Sequence, residues 1–269
     1  RPGMPWVIRF NNPLDEDHFD EAALAIEPAL PEPRVVVQHD VLLIQGASAP
    51  RTPYRVVVPG RLADAFGQTL GHDDRRTFAV GAAQPTFFGP TGLVVLDPLA
   101  KRPALDVFST NYAGLAVKVY QVAPEDYDGF STYMRNQWNH DHPPPMPGAQ
   151  RVATKVKVAG AADRLTETAV DLAPALSKAG LGHAIVVVEP TPWTEKRQPP
   201  RLIAWVQSTR LAVDAHVDHE ELTAFVTELD SGKPVGGATV ELRPFGTVAT
   251  TDATGLAKLP LGDAGRAGM

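Results

Sequence analysis

The sequence predicts an all-β protein of tandem antiparallel β-sandwiches, and three observations carry that prediction. Short runs alternate apolar and polar side chains with a period of two, as in Leu222-Thr223-Ala224-Phe225-Val226-Thr227 and Ala238-Thr239-Val240-Glu241-Leu242-Arg243, the pattern of a strand with one buried face. Turn residues separate these runs: 26 prolines and 22 glycines in 269 residues suit a chain that reverses often. A sustained helical period is confined to one stretch, which begins at Pro124.

The first domain is placed at residues 1–82. Trp6 to Phe10, Ala25 to Pro28, Arg34 to Val37, Val41 to Ile44, Tyr54 to Val58 and Arg75 to Val80 are β-branched runs bounded by Pro, Gly or polar clusters, a spacing that suits an Ig-like sandwich. Arg61 to Leu70 reads as one helical turn capped by Gly67, with Leu62 and Phe66 facing the core at i, i+4. Gly81 to Pro85 lacks periodicity and reads as a linker or a strand-to-strand crossover between domains.

The second domain spans 83–208. Leu93 to Asp97, Ala104 to Phe108 and Leu115 to Tyr120 open it as strands. An inserted helix follows: Pro124 suits a first helical position, Glu125 and Asp126 suit its positive end, and Tyr127, Phe130, Met134 and Trp138 recur at helical spacing. That aromatic stripe reads as packing against a sheet and not as a ligand face. His140-Asp141-His142 and the proline run Pro143 to Gly148 read as a stiff, extended, exposed loop. Arg151 to Ala159 and Glu167 to Leu172 return to strand, and Pro174 to Lys178 forms a short helical turn. His183 to Pro190 is almost continuously apolar, as a strand buried on both faces would be. Leu202 to Gln207 closes the domain.

The third domain, 209–269, holds about five strand candidates where a sandwich of this type takes roughly seven, so it reads as truncated. Its turns are Asp230-Ser231-Gly232-Lys233-Pro234 and Thr251-Asp252-Ala253-Thr254-Gly255.

Bulk properties exclude several function classes. Net charge −6 argues against a nucleic-acid partner, because phosphate binding needs a broad basic surface. With no cysteine there is no disulfide, thiol nucleophile or thiolate metal site. No run of 18 apolar residues would insert this segment into a membrane, and the start lacks a signal peptide's apolar core.

Candidate chemistry is sparse. His216-Val217-Asp218-His219-Glu220 gathers metal-capable side chains without a metal-helix spacing: in a strand His216 and Asp218 would share a face with His219 turned away, at a hairpin tip all would sit in solvent, and it reads as surface, as does the polar loop His140-Asp141-His142. Asp73-Asp74 and Glu220-Glu221 sit beside turns as solvated charge. No nucleophile elbow, phosphate loop or dinucleotide fingerprint is present. No catalytic, cofactor-binding or metal-binding residue is assigned, no cofactor is expected, and the chain is read as not an enzyme.

A family likeness rests on particular residues. Thr209 to Val213, Leu222 to Thr227, Ser231 to Val235 with Gly237 to Val240, and Thr251 to Ala257 resemble a macroglobulin domain of the bacterial alpha-2-macroglobulin family. Leu115 to Tyr120 with Val122 to Asp126, Val170 to Leu172 and Ala204 to Thr209 resemble the preceding macroglobulin domain with its inserted helix. Phe10 to Asp15, Tyr54 to Val58 and Asp64 to Leu70 resemble the bacterial Ig-like domain near the N-terminal side of those proteins.

The resemblance implies a non-catalytic scaffold fragment of a broad-spectrum protease inhibitor. Such a protein lets a protease cut a bait segment, changes shape and entraps it, protecting the cell envelope from host or environmental proteases. Many members then acylate the protease from a Cys-Gly-Glu-Gln thioester, a motif this chain lacks. The implied partners are proteases, through the parent protein, and neighbouring macroglobulin domains. The implied setting is periplasmic, secreted or cell-envelope, with a lipoprotein-anchored parent as one form. The rival readings are an Ig-like stalk of a surface adhesin and accessory β-sandwich domains of a carbohydrate-processing enzyme.

Overall fold

A computed structural model describes residues 1–137, 144–194, 196 and 198–262. The protein is mostly strand, and its backbone divides into two compact units. Unit 1 comprises Arg1–Thr86 together with Ser109–Asn111 and Ala159–Thr166; unit 2 comprises Phe87–Phe108, Tyr112–Val158 and Glu167–Met269.

In unit 1, β1 (Trp6–Arg9), β2 (Ala25–Glu27), β3 (Arg34–Gln38), β4 (Val41–Gln45), β5 (Pro53–Val58) and β6 (Asp74–Ala79) form two antiparallel sheets, ordered β1-β4-β3 and β2-β5-β6. Alternation along β4 and β5 sends Leu42, Ile44, Tyr54, Val56 and Val58 into one shared core. Trp6 closes it, with its ring centroid 5.1 Å from Phe78 and 5.0 Å from Tyr54. The Tyr54 hydroxyl accepts from the Ala49 N–H at 2.8 Å, so the ring is buried without stranding its oxygen.

The helical turn expected over Arg61 to Leu70 is not there. Asp64 holds an irregular loop instead: its Oδ1 accepts from the N–H groups of Phe66 and Gln68 at 2.9 and 2.8 Å. Short acids compete with helix by bonding local backbone donors, and here that competition wins. Leu62 packs on the core, while Phe66 is 71% exposed.

Apart from the strand-end residues Thr86, Ser109, Thr110 and Thr166, which belong to unit 1, unit 2 contains β7 (Thr86–Phe88), β8 (Gly92–Val95), β9 (Ala104–Thr110), β10 (Gly114–Val122), α1 (Tyr127–Asn136), β11 (Ala149–Lys157), β12 (Thr166–Asp171), β13 (Gly182–Thr191) and β14 (Leu202–Ser208). A five-stranded sheet, β11-β10-β13-β14-β8, faces a three-stranded one, β12-β9-β7. All its pairings are antiparallel except β14 with β8. Period two then sorts the residues: Val117, Val119, Val186, Val188, Ala204 and Val206 point between the sheets, and Val122, Ile185, Val187, Ile203 and Trp205 point to the opposite face. β13 is therefore buried on both sides, as its sequence requires.

Helix α1 covers that second face. A short 3-10 turn, Pro124–Asp126, leads into it, and Asp126 accepts from the Ala123 N–H at 2.9 Å. Phe130 is buried against Ile185, Ile203 and Trp205, with Tyr133 and Met134 beside it. Trp138, His140-Asp141-His142 and Pro143 lie outside the described residues. The following loop is less exposed than expected, because Met146 packs into the same cluster. The helical turn expected at Pro174 to Lys178 is a 3-10 turn over Ala173–Ala175.

The rest of unit 2 holds β15 (Leu211–Val217), β16 (Glu221–Glu228), β17 (Thr239–Leu242), β18 (Thr247–Thr250) and β19 (Leu256–Pro260), in sheets β15-β16-β19 and β17-β18. The turn before β19 is fixed by Asp252, whose Oδ1 accepts from Thr254 N–H, Thr254 Oγ1–H and Leu256 N–H at 2.8, 2.6 and 3.1 Å. Gly255 completes it at φ +80°, where a Cβ would meet the Val226 carbonyl oxygen at 2.6 Å. Left-handed backbone and a backbone clash both oppose a side chain there. Gly255→Ala should destabilise the protein by about 2 kcal/mol or more, read as a lower urea midpoint. A variant within about 0.5 kcal/mol of the parent would show that the turn can relax.

Candidate functional site

The metal-capable cluster resolves into a hairpin tip. Asp218 Oδ1 accepts from the N–H groups of Glu220 and Glu221 at 2.7 and 2.8 Å, which forms the turn between β15 and β16. Those bonds to Glu221 and Glu220 hold the Asp218 carboxyl below its usual pKa. His216, His219 and Glu220 are exposed around it. Among the described residues no group of three or more His, Cys, Asp or Glu side chains converges as a metal site.

Asp73 and Asp74 are also separated by use. Asp73 accepts from the Gly60 N–H at 2.9 Å, and Asp74 pairs with Arg76 at 2.6 Å. Arg76 and Asp74 border a concavity of about 360 Å³ in unit 1, together with Arg9 and Asp64. The Asp64 carboxylate is fully engaged there: Asn12 donates to Oδ2 at 2.6 Å while Oδ1 holds the loop. The Asn12 bond leads the effects that lower its pKa. An acid held ionised and hydrogen-bonded is a poor proton donor near neutrality.

A second polar node in unit 1 is built around Asp163. Its Oδ1 accepts from Asn111 Nδ2 and the Ala83 N–H, both at 2.8 Å, and its Oδ2 accepts from Arg51 Nε at 2.6 Å. Asn111 in turn accepts from the Asp163 N–H at 2.8 Å and donates to the Ala83 carbonyl at 2.8 Å. The Asn111 bond, then the Arg51 bond, push the Asp163 carboxyl below its usual range. Both Asp163 carboxylate oxygens and both ends of the Asn111 amide find partners, so the node is a tie between segments far apart in sequence.

The helix-covered face of unit 2 concentrates most of the remaining functional-looking groups. Trp205 Nε1–H donates to His183 Nδ1 at 3.3 Å, and the rings lie 5.7 Å apart. Tyr127 meets Trp205 edge-on at 5.3 Å and Phe130 lies at 5.5 Å. Arg201 joins Glu189 at 2.7 Å and donates to the Tyr133 hydroxyl at 3.2 Å, pinning α1 to the sheet. At the other end of the helix, Glu125 pairs with Arg243 at 2.6 Å, and Arg243 also bonds Glu241 at 3.0 Å. Sequence reading missed all of these partnerships. The one legible signal was the polar edge of an otherwise apolar run at His183 and Glu189.

This arrangement is structural. Among the described residues of this face no nucleophile is held against a base, and its aromatic side chains pack on one another. The class so defined is a protein of tandem, mostly antiparallel β-sandwiches with one helix-covered sheet. No family model matches the chain, and no curated protein matches it by sequence. Solved structures do: the Escherichia coli alpha-2-macroglobulin segment spanning domains MG0-NIE-MG1 is 18% identical and aligns over 96% of this chain and 86% of its own, with TM-score 0.54. Salmonella alpha-2-macroglobulin reacted with methylamine is 18% identical over 97% of this chain, with TM-score 0.62. The native E. coli protein aligns over 95%, with TM-score 0.52. This chain spans 16% of each of those two longer chains. The fold is that of bacterial alpha-2-macroglobulin domains, the family to which the sequence motifs pointed.

His183 supplies a test of this face. Burial lowers its pKa, with nearby Glu125 opposing, and an Nδ1 that accepts from Trp205 is unprotonated. A folded pKa below the unfolded value means that the unfolded chain takes up the proton first. Stability is then complete above the unfolded value of about 6.5 and falls as pH drops through the folded one. Urea midpoints measured between about pH 7.5 and 5 should fall for the parent protein and flatten in His183→Gln. Parallel slopes would place the titration elsewhere.

Proposed function

We propose that this chain is a non-catalytic scaffold segment of a bacterial alpha-2-macroglobulin-like protease inhibitor that protects the cell envelope. The observation behind the reading is the extent of the likeness: it runs through 96% of the chain and 86% of a structure spanning three named domains in series. In this reading residues 1–82, 83–208 and 209–269 are successive modules, and the third is one part of a longer sandwich. Proteases are the partners, met through the parent protein, and neighbouring macroglobulin domains are the direct contacts. A periplasmic, secreted or envelope location fits, and among the described residues no helix is long and apolar enough to cross a membrane.

The physical role is mechanical. Sandwiches with two-sided cores keep their shape, so a strained connection cut elsewhere in the parent moves them as bodies. Of the rival readings, carbohydrate binding has one observation on its side: Phe88 and Phe108 stack 5.5 Å apart, and Phe88 is half exposed. Two phenyl rings bring stacking area without the hydroxyl or indole donors that orient a sugar. The test uses the full translation product of the gene, studied by small-angle scattering before and after trypsin. A reduced radius of gyration with trypsin retained is the expected outcome, and unchanged dimensions would overturn the reading.

A further inference from the structure

Among the described residues, three cations of unit 2 pair with acids. Arg201 pairs with Glu189, Arg243 with Glu125 and Glu241, and Lys258 with Glu221. Lys101, Arg102 and Arg210 are different: they line one concavity of about 200 Å³, and among the described residues none of their side chains enters an ion pair or hydrogen bond. In a chain of net charge −6, three unmatched cations around one hollow are a local reversal of sign.

The hollow lies where several strand ends meet: the segment after β8, the start of β9, the turn before β13 and the link from β14 to β15. Its walls are held by their own bonds. Asp97, the acid on the lining, accepts from the Leu99 N–H at 2.8 Å and so serves its turn. The Ser208 hydroxyl donates to the Gly180 carbonyl at 2.6 Å. Leu96, Pro98 and Leu181 make part of the wall apolar. Field lines concentrate in such a concave site, and guanidinium groups match carboxylate geometry.

The approach to the hollow has a second feature. β8 is the edge of the five-stranded sheet, paired with β14 alone, and its Leu93 and Val95 are 58% and 48% exposed. A short edge strand of this kind accepts an added strand through its outer backbone groups. We propose that the β8 edge and the adjoining basic hollow together dock an extended acidic segment of a partner protein, with apolar side chains along Leu93 and Val95 and carboxylates at Lys101, Arg102 and Arg210. Charge complementarity selects an acidic segment over any other extended chain. The inference is independent of the protease-inhibitor reading.

The probe is a fluorescein-labelled hexapeptide of alternating valine and glutamate, titrated with the whole chain and followed by anisotropy. Saturable binding is expected, weakening several-fold between about 50 and 300 mM salt as exposed charges are screened. The double substitution Arg102→Glu with Arg210→Glu should weaken it about tenfold or more. The milder pair Arg102→Gln with Arg210→Gln should weaken it in the same direction, and thermal melting checks that both variants fold. Arg55→Glu, at an exposed position on β5, should leave binding unchanged. Absence of saturation up to about 1 mM, equal binding by the charge variants, an equal loss in Arg55→Glu, or equal affinity for a valine–lysine hexapeptide would each overturn the proposal.

Discussion

Strand β13 must be covered on both faces, and unit 2 is organised around that requirement. It sits in the middle of its sheet between β10 and β14, so its backbone groups are paired on both edges. Ala184, Val186 and Val188 are closed by the three-stranded sheet, while Ile185 and Val187 join Ile203 and Trp205 on the far side. Without α1 those four side chains would face water. At about 1.5–3 kcal/mol for each buried apolar side chain, that exposure would cost on the order of 6–12 kcal/mol, comparable with the whole net stability of a domain. The helix is therefore a lid over a core, and its aromatic residues are accounted for without a ligand.

The same economy governs the acids. Asp64, Asp163, Asp218 and Asp252 each accept bonds from backbone N–H groups of a turn or loop. All four carboxyls sit below their usual pKa: side-chain bonds from Asn12, Asn111 and Thr254 lead at Asp64, Asp163 and Asp252, backbone bonds lead at Asp218, and both kinds favour the ionised form. General acid–base work needs a group poised near the working pH, often raised by burial. Acids that are depressed and satisfied are fastenings. Their geometry explains how a turn-rich chain without disulfides keeps defined loops, and it agrees with a mechanical role better than with a catalytic one.

Much of this was legible in the sequence because strand burial is a local property. Tyr54, Val56, Ala224 and Val226 declare their faces through period two, and the continuous run at β13 declares two-sided burial. The helix was legible from Pro124 and the spacing of Phe130 and Met134. What failed was the loop around Asp64, where apolar residues at i, i+4 imitate a helix while the carboxylate captures the backbone donors. Strand β7 was also missed, since three residues in Thr86–Phe88 are too few to show a period. The polar partnerships were illegible for a different reason: Glu125 with Arg243, Arg51 with Asp163 and His183 with Trp205 join residues that no local pattern relates.

Within unit 2, strength is unevenly distributed. The five-stranded sheet and its two covered faces bury most of the large apolar side chains, whereas the sheet β15-β16-β19 centres on a small cluster around Ala224, Ala257 and Leu259. Glu125 and Arg243, which tie the helix end to the β17-β18 hairpin, are 59% and 45% exposed. An ion pair so open to solvent is weakened by salt and by the freedom of two long side chains. Deep cores within the five-stranded sheet thus stand beside a shallow, ionic tie. On the proposed scaffold reading, that contrast, and not any single side chain, is what would let a shape change pass along the chain.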